Sequence, residues 1–388
     1  MNFALRAYIA PDFSKKEFTA APESVWLPAP ADAVAPEGYH AMSIFPEYFK
    51  IRGAWRLAQE SRMDCVAVYE GGEIAVREIR LLKKGDLVAV GRTENGADGI
   101  VVHPDGFRET HDRGDVFAFR KGRSRETAFS RDYDELYELL RHEREHGKIV
   151  WVMGPAFAFD HDARNAFSLL VAGGYVHALL AGNALATHDL EAAYLKTALG
   201  QNIYTQESQP NGHYNHLDTI NRARYHGSIA AFIRNEKIDN GIIYQCETHH
   251  VPYVLAGSIR DDGPLPGVIG DAYEAQDRMR EQVRDATTII CMASMLHTIA
   301  TGNMTPTYRV EPCPKGRHSS PSIFLLCGHR GVRRQQTDRP RQPCGARHRD
   351  KCAGFYRNAD QGFGLAVNFD PLDSQVAGGA PSARPFCC

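Results

Sequence analysis

The sequence predicts an α/β protein, with a β-rich N-terminal part and a second part built on a parallel sheet. Three short apolar runs lead to this expectation, at 175–180, 251–255 and 287–291. Each reads as a buried strand and then passes abruptly into small and polar residues. The three segments that follow are Ala181-Gly-Asn-Ala-Leu-Ala-Thr-His-Asp189, Ala256-Gly-Ser-Ile-Arg-Asp-Asp-Gly-Pro-Leu-Pro266 and Met292-Ala-Ser-Met-Leu-His-Thr298. Ligands of open parallel sheets bind beyond the carboxyl ends of the strands, so three such ends predict one shared site.

The elements follow in order. Residues 1–40 are rich in Ala and Pro and are left unassigned. From 41 to 125 the signals are those of strands and turns. Cys65-Val-Ala-Val-Tyr69 and Ile74-Ala-Val-Arg-Glu-Ile79 flank Glu70-Gly-Gly-Glu73, a hairpin signal, and Asp86-Leu-Val-Ala-Val90 runs into Gly91. Residues 111–130 are charged and read as a linker or surface excursion. The second domain, 126–312, opens with Ser130 as N-cap of a helix carrying apolar residues at Tyr133, Leu136, Tyr137 and Leu140, which Gly147 ends. The strand Lys148-Ile-Val-Trp-Val-Met153 comes next, with helices predicted over 162–172, 217–234 and 273–284. Strands alternating with helices make βαβ units and a Rossmann-like parallel sheet. The first turn, Gly154-Pro-Ala-Phe-Ala-Phe159, lacks the G-x-G-x-x-G fingerprint of dinucleotide folds.

Bulk properties exclude several classes. The 388 residues are 43% hydrophobic and 24% charged, enough for two cores, and the net charge of −2 leaves no footprint for nucleic acid or anionic membrane. No apolar run approaches the roughly 18 residues of a membrane span, and the start of the chain lacks a secretory apolar region, so a cytoplasmic location is expected. Cysteines do not pair at zinc spacing. Cys246-Glu-Thr-His249-His250 has no second ligand pair beyond His213 and His216, so no metal is expected.

Phe45-Pro-Glu-Tyr48, Lys83-Lys-Gly-Asp-Leu-Val88, Ser130-Arg-Asp-Tyr-Asp-Glu-Leu-Tyr137, Gly182-Asn-Ala-Leu-Ala-Thr-His-Asp189, Leu255-Ala-Gly-Ser-Ile-Arg-Asp-Asp-Gly-Pro-Leu-Pro266 and Met295-Leu-His297 together resemble the archaeal-type, NAD-dependent ornithine cyclodeaminase family. That family also forms the C-terminal part of bifunctional arginine-degrading enzymes and carries a lysine–oxoglutarate reductase/saccharopine dehydrogenase (LOR/SDH) region. The resemblance covers about residues 45–310. It implies NAD as cofactor, with contacts at Asn183, Ala184, Asp262, Ser294, Met295, Leu296 and His297. It also implies a hidden redox cycle that turns L-ornithine into L-proline and ammonia, with the cofactor restored at the end. A homo-oligomer acting on a small amino acid is expected.

Asp261 and His297 are the candidate catalytic residues. The adjacent carboxylates Asp261 and Asp262 can divide acid and base work, although Asp before Gly263-Pro264 is also turn chemistry. His297 is a proton carrier by residue type and equally a cofactor contact. Arg260 suits a substrate carboxylate or a neighbouring acid. Two other functions fit the same chain: a dehydrogenase of a related ω-amino acid, and a non-catalytic NAD or metabolite sensor.

After Val310 the pattern stops. From 315 to 351 there are ten Lys/Arg against two acids, with little apolar periodicity. Shifting a permitted back-translation of 320–342 by one base can give a strand ending in Asp and a helical stretch, and continuing through Tyr356 another apolar strand. Residues 313–388 are therefore read as out of frame and irregular, with the authentic last strands of the sheet lost.

Overall fold

The computed structural model describes residues 8–106, 130–261, 263–313, 316–321, 323–328 and 331–334. The N-terminal unit contains α1 (Lys16–Thr19), β1 (Val25–Pro28), β2 (Glu47–Ile51), β3 (Ala54–Leu57), β4 (Cys65–Glu70), β5 (Glu73–Glu78), β6 (Leu87–Val90) and β7 (Ile100–Val102). They form two antiparallel sheets, ordered β1-β6-β4-β5 and β3-β2-β7. The β4–β5 hairpin turns through Gly71 and Gly72, with φ of 60° and 92°. Both turn positions need positive φ, which glycine adopts without a Cβ penalty. Residues 8–40, left unassigned by sequence, supply β1 to this unit.

Strand β2 is buried at every position, charged ones included. Glu47 accepts from the amide and hydroxyl of Ser43, both at 2.5 Å, and pairs with His40 Nε2 at 2.8 Å. Lys50 Nζ donates to the carbonyls of Phe18, Thr19 and Ala21 at 2.6–3.2 Å. Each buried charge is thus satisfied, as the cost of desolvation demands.

The second unit runs α2 (Ser130–His146), β8 (Ile149–Met153), α3 (Ala156–Phe159), α4 (His161–Ala172), β9 (Ala178–Gly182), α5 (Asn183–Leu195), β10 (Thr197–Ala198), β11 (Gln201–Asn202), α6 (Asn215–Tyr225), α7 (Ile229–Asn235), α8 (Ile242–Thr248), β12 (Tyr253–Ala256), α9 (Ala272–Val283), β13 (Thr288–Met292), α10 (Met295–Met304), β14 (Tyr308–Cys313), β15 (Gly316–Pro321), β16 (Ile323–Gly328) and β17 (Gly331–Arg334). The main sheet is ordered β12-β9-β8-β13-β16-β17 and is parallel except for β17. The chain winds outward from β8 through β9 to β12, then crosses back to β13. The reversal between β8 and β13 is a topological switch point, where such sheets open a crevice. One core lies on the face covered by α4, α5 and α8, the other beneath α9.

Several expectations need correction. The helix expected over 217–234 is two, because Gly227 takes φ of 80° and Ser228 caps α7 by accepting from Ala231 N at 3.1 Å. The strand expected at 175–180 begins at Ala178, and the one expected at 251–255 begins at Tyr253, after a proline that lacks a ladder N–H. Three stretches of the segment expected to be irregular, 316–321, 323–328 and 331–334, are strands. The run Ile323-Phe-Leu-Leu is strongly β-forming, and the exposed side of β13 offers it backbone partners.

The two units meet along α9 and α10. Arg280 reaches Glu78 at 2.5 Å, and Arg80 reaches Asp277 at 2.7 Å. Met63 N donates to the Asn303 carbonyl at 3.0 Å. The buried Tyr308 hydroxyl bonds the Ala58 carbonyl and lies 2.8 Å from Ser61 Oγ. No helix among the described residues is long and apolar enough to cross a membrane.

Candidate active site

The three strand ends chosen from sequence do converge, and the glycines at two strand ends govern how closely. Gly154 follows β8 at the switch point. A Cβ built there would stand 1.7 Å from the carbonyl oxygen of Ala293. The chain leaving β13 therefore crosses directly over the end of β8, turning at Ala293 with φ of 56°, and then enters α10. This crossing carries His297 past β8 to β9. A Cβ at Gly182 would lie 3.2 Å from His297 Cε1 and 3.5 Å from the Ala256 carbonyl. Side-chain-free backbone at 154 and 182 is thus what lets β9, β12 and β13 share one crevice.

His297 is not a strand-end residue, as the sequence reading had it, but lies in the first turn of α10. Burial pushes its imidazole below the ordinary value, so the ring is held neutral. Asn183 stands directly after β9. It is the first residue of α5, only 6% exposed. Its Nδ2 donates to Asp261 Oδ1 at 3.2 Å, while its Oδ1 accepts from Leu265 N at 3.0 Å and Thr187 Oγ1 at 3.2 Å. Asp261 Oδ2 accepts from Ser258 N at 2.7 Å. Asp261 thus holds its own turn through Oδ2 and meets Asn183 through Oδ1.

Ala184 lies beside Asn183 on α5, and Ser294 is the N-cap of α10, whose backbone carries Met295 and Leu296. Neither helix start is closed by a side-chain cap. Asp262 lies outside the described residues. Arg260 is exposed, its amide donating to Ser258 Oγ at 3.1 Å. Cys246 is buried in the core, and burial raises its thiol far above the ordinary value, whereas His249 and His250 are exposed beyond α8. Among the described residues no group of three or more His, Cys, Asp or Glu could hold a metal ion.

Sequence reasoning missed Gly154, Gly182, Thr187 and Leu265. A glycine directly after an apolar strand was a legible signal at 154. The spacing of Asn183 and Thr187, one helical turn apart, signalled a contact only once α5 was known to begin at 183.

Comparison with known proteins gives consistent matches. Residues 135–313 match the family described as arginine dihydrolase ArgZ-like, C-terminal, Rossmann fold. The ornithine cyclodeaminase of Methanocaldococcus jannaschii is 40% identical over 296 residues, covering 74% of this chain and 68% of that protein. The bifunctional arginine dihydrolase/ornithine cyclodeaminase AgrE of Nostoc is 35% identical over 285 residues, 72% of this chain but 40% of that protein. The crystal structure of a conserved putative LOR/SDH protein from Methanococcus maripaludis matches with a TM-score of 0.65 at 36% identity, covering 74% of this chain and 85% of that one.

Proposed function

The chain belongs to the ornithine cyclodeaminase family, and from that premise we propose that it converts L-ornithine to L-proline and ammonia with NAD as a resident cofactor. The observation that carries this reading is the convergence, beside the switch point, of the starts of α5 and α10 with the Asn183–Asp261 pair.

The residues fit NAD on the chemistry of the donor set. Helix starts with free amides are anion sites, and α5 and α10 both lack a capping side chain. Asn183, Ala184, Ser294, Met295, Leu296 and His297 would hold the cofactor through these starts, with Asp262 on a ribose. When bound, NAD supplies a hydride acceptor that is restored in each cycle, drawing hydride from Cα of ornithine and returning it to the cyclic imine. The protein's part is to orient the reactants and hold protons. Neutral His297 has a lone pair to accept a proton from the substrate's α-ammonium. Asp261, its carboxylate fixed by two donors, offers a counter-charge to the δ-ammonium. Asp261 takes a proton from the δ-ammonium, and the freed δ-amine attacks the imine carbon to form the ring C–N bond. The ring nitrogen passes its extra proton to the α-amino group, whose bond to carbon breaks as ammonia leaves. We place the enzyme in the cytoplasm, as a homo-oligomer acting on a free amino acid.

Ornithine deuterated at Cα tests the reading. With NAD present in catalytic amounts, proline and ammonia should form in equal amounts, without NADH accumulating, and the proline should retain the label. Net NADH production would identify a dehydrogenase instead, and NAD binding without turnover a sensor. Proline formation that is unchanged after NAD is stripped would overturn the proposal.

A further inference from the structure

We propose that Asn183 is a positioning residue, whose side chain sets Asp261 by tying the loop after β12 to α5. The proposal deepens the functional reading above and rests on it only for its consequence at NAD. An amide oxygen has two lone pairs, and both are occupied at Asn183, by Leu265 N at 3.0 Å and Thr187 Oγ1 at 3.2 Å. The nitrogen end is turned to Asp261 Oδ1 at 3.2 Å. The residue is 6% exposed and Leu265 2%, so the bond to Leu265 is closed to water, while the Asp261 end is half-buried. The position needs an acceptor at one end for Leu265 and a donor at the other for Asp261, a combination that an ionised Asp or a Leu does not supply. Among the described residues, the titratable groups near this turn are Asp261 itself, the exposed Arg260 on the same segment and His297 of α10, whose ring lies beside Gly182, while His188 of α5 is turned to Glu191.

The chemistry sets the test. Asn183→Asp keeps shape and the acceptor for Leu265, but places a second carboxylate against Asp261, and two carboxylates at that distance hold one proton between them. In the full chain, the protection of the Leu265 amide from hydrogen exchange, corrected for intrinsic rate, should be independent of pH in the wild type between about pH 5 and 8.5. In Asn183→Asp it should fall as pH rises, by roughly tenfold or more at the alkaline end. NAD affinity measured by calorimetry should follow the same profile. Asn183→Ala should lose the protection at every pH. The exchange of partners, Asn183→Asp with Asp261→Asn, restores one donor against one carboxylate and should recover protection across the range.

A pH-independent Asn183→Asp, unchanged protection in Asn183→Ala, or an exchanged pair no better than the single variant would each overturn the proposal. If the wild type binds no NAD, the cofactor assignment fails while the exchange measurements still decide the role of Asn183.

Discussion

No side chain fits at residue 154, because a Cβ there would stand 1.7 Å from the carbonyl oxygen of Ala293. The contact is backbone against backbone, so rotamer changes cannot relieve it. Gly154→Ala should therefore displace the turn between β13 and α10 and carry His297 away from Gly182. We expect a loss of stability above about 3 kcal/mol, read from thermal or denaturant unfolding, together with loss of NAD binding in any fraction that folds. Unchanged stability would show that the crossing has more room than its geometry indicates.

Arg164 of α4 and Asp189 of α5 form a fully buried ion pair between the two helices. Their contact is 2.6 Å with side chains 1% and 0% exposed. Asp189 also accepts the amides of Ile242 and Ile243 at the start of α8, and Arg164 reaches Asn240 at 2.8 Å. Removing one partner leaves the other charge buried alone. Asp189→Ala and Arg164→Ala should each cost about 3–5 kcal/mol, while the double variant should cost much less than their sum. Additive losses would refute the coupling.

Two histidines should give stability opposite pH dependences. Burial works against protonation of His40, but the hydrogen bond and charge of Glu47 outweigh it and raise its pKa. Its contribution is complete below the unfolded value of about 6.5 and fades as pH rises through the raised folded value. His297 is lowered by burial, so its contribution is complete above about 6.5 and fades as pH falls toward the lowered folded value. His40→Gln should flatten the alkaline limb of the stability profile, and His297→Gln the acidic one. Ring-proton NMR titrations should place the two midpoints on opposite sides of about 6.5.

Cys65, Cys246 and Cys291 are buried. Burial pushes the Cys65 thiol up to about 12 and raises that of Cys246 further. These three should resist alkylation in the native protein at pH 8 and react fully once it is unfolded, as mass spectrometry of the labelled peptides would show. Rapid native labelling of Cys246 would show that its surroundings open far more readily than its burial implies.

We propose that the segment after residue 313 is out of frame. A version with the alternative frame restored should melt higher than this chain, and NAD should raise its melting temperature in a concentration-dependent way. Equal melting curves, with and without NAD, would sink the frame reading.

Local pattern determined much of this protein. The apolar run at 149–153, the glycine pair at 71–72 and the small polar stretches after 180, 255 and 291 identified strands, the hairpin and the segments that converge beyond the sheet. Those signals are legible because strand burial and turn conformation constrain residue type within a few positions. Tertiary structure alone decided which strand ends touch. The order β12-β9-β8-β13 puts β8 between the strands whose loops meet, so contact depends on a missing side chain at Gly154, a fact without local periodicity. It also decided that Asn183 begins a helix and turns both ends of its amide to residues 78 and 82 positions away, because a hydrogen bond across that separation exists only after the sheet has brought its ends together.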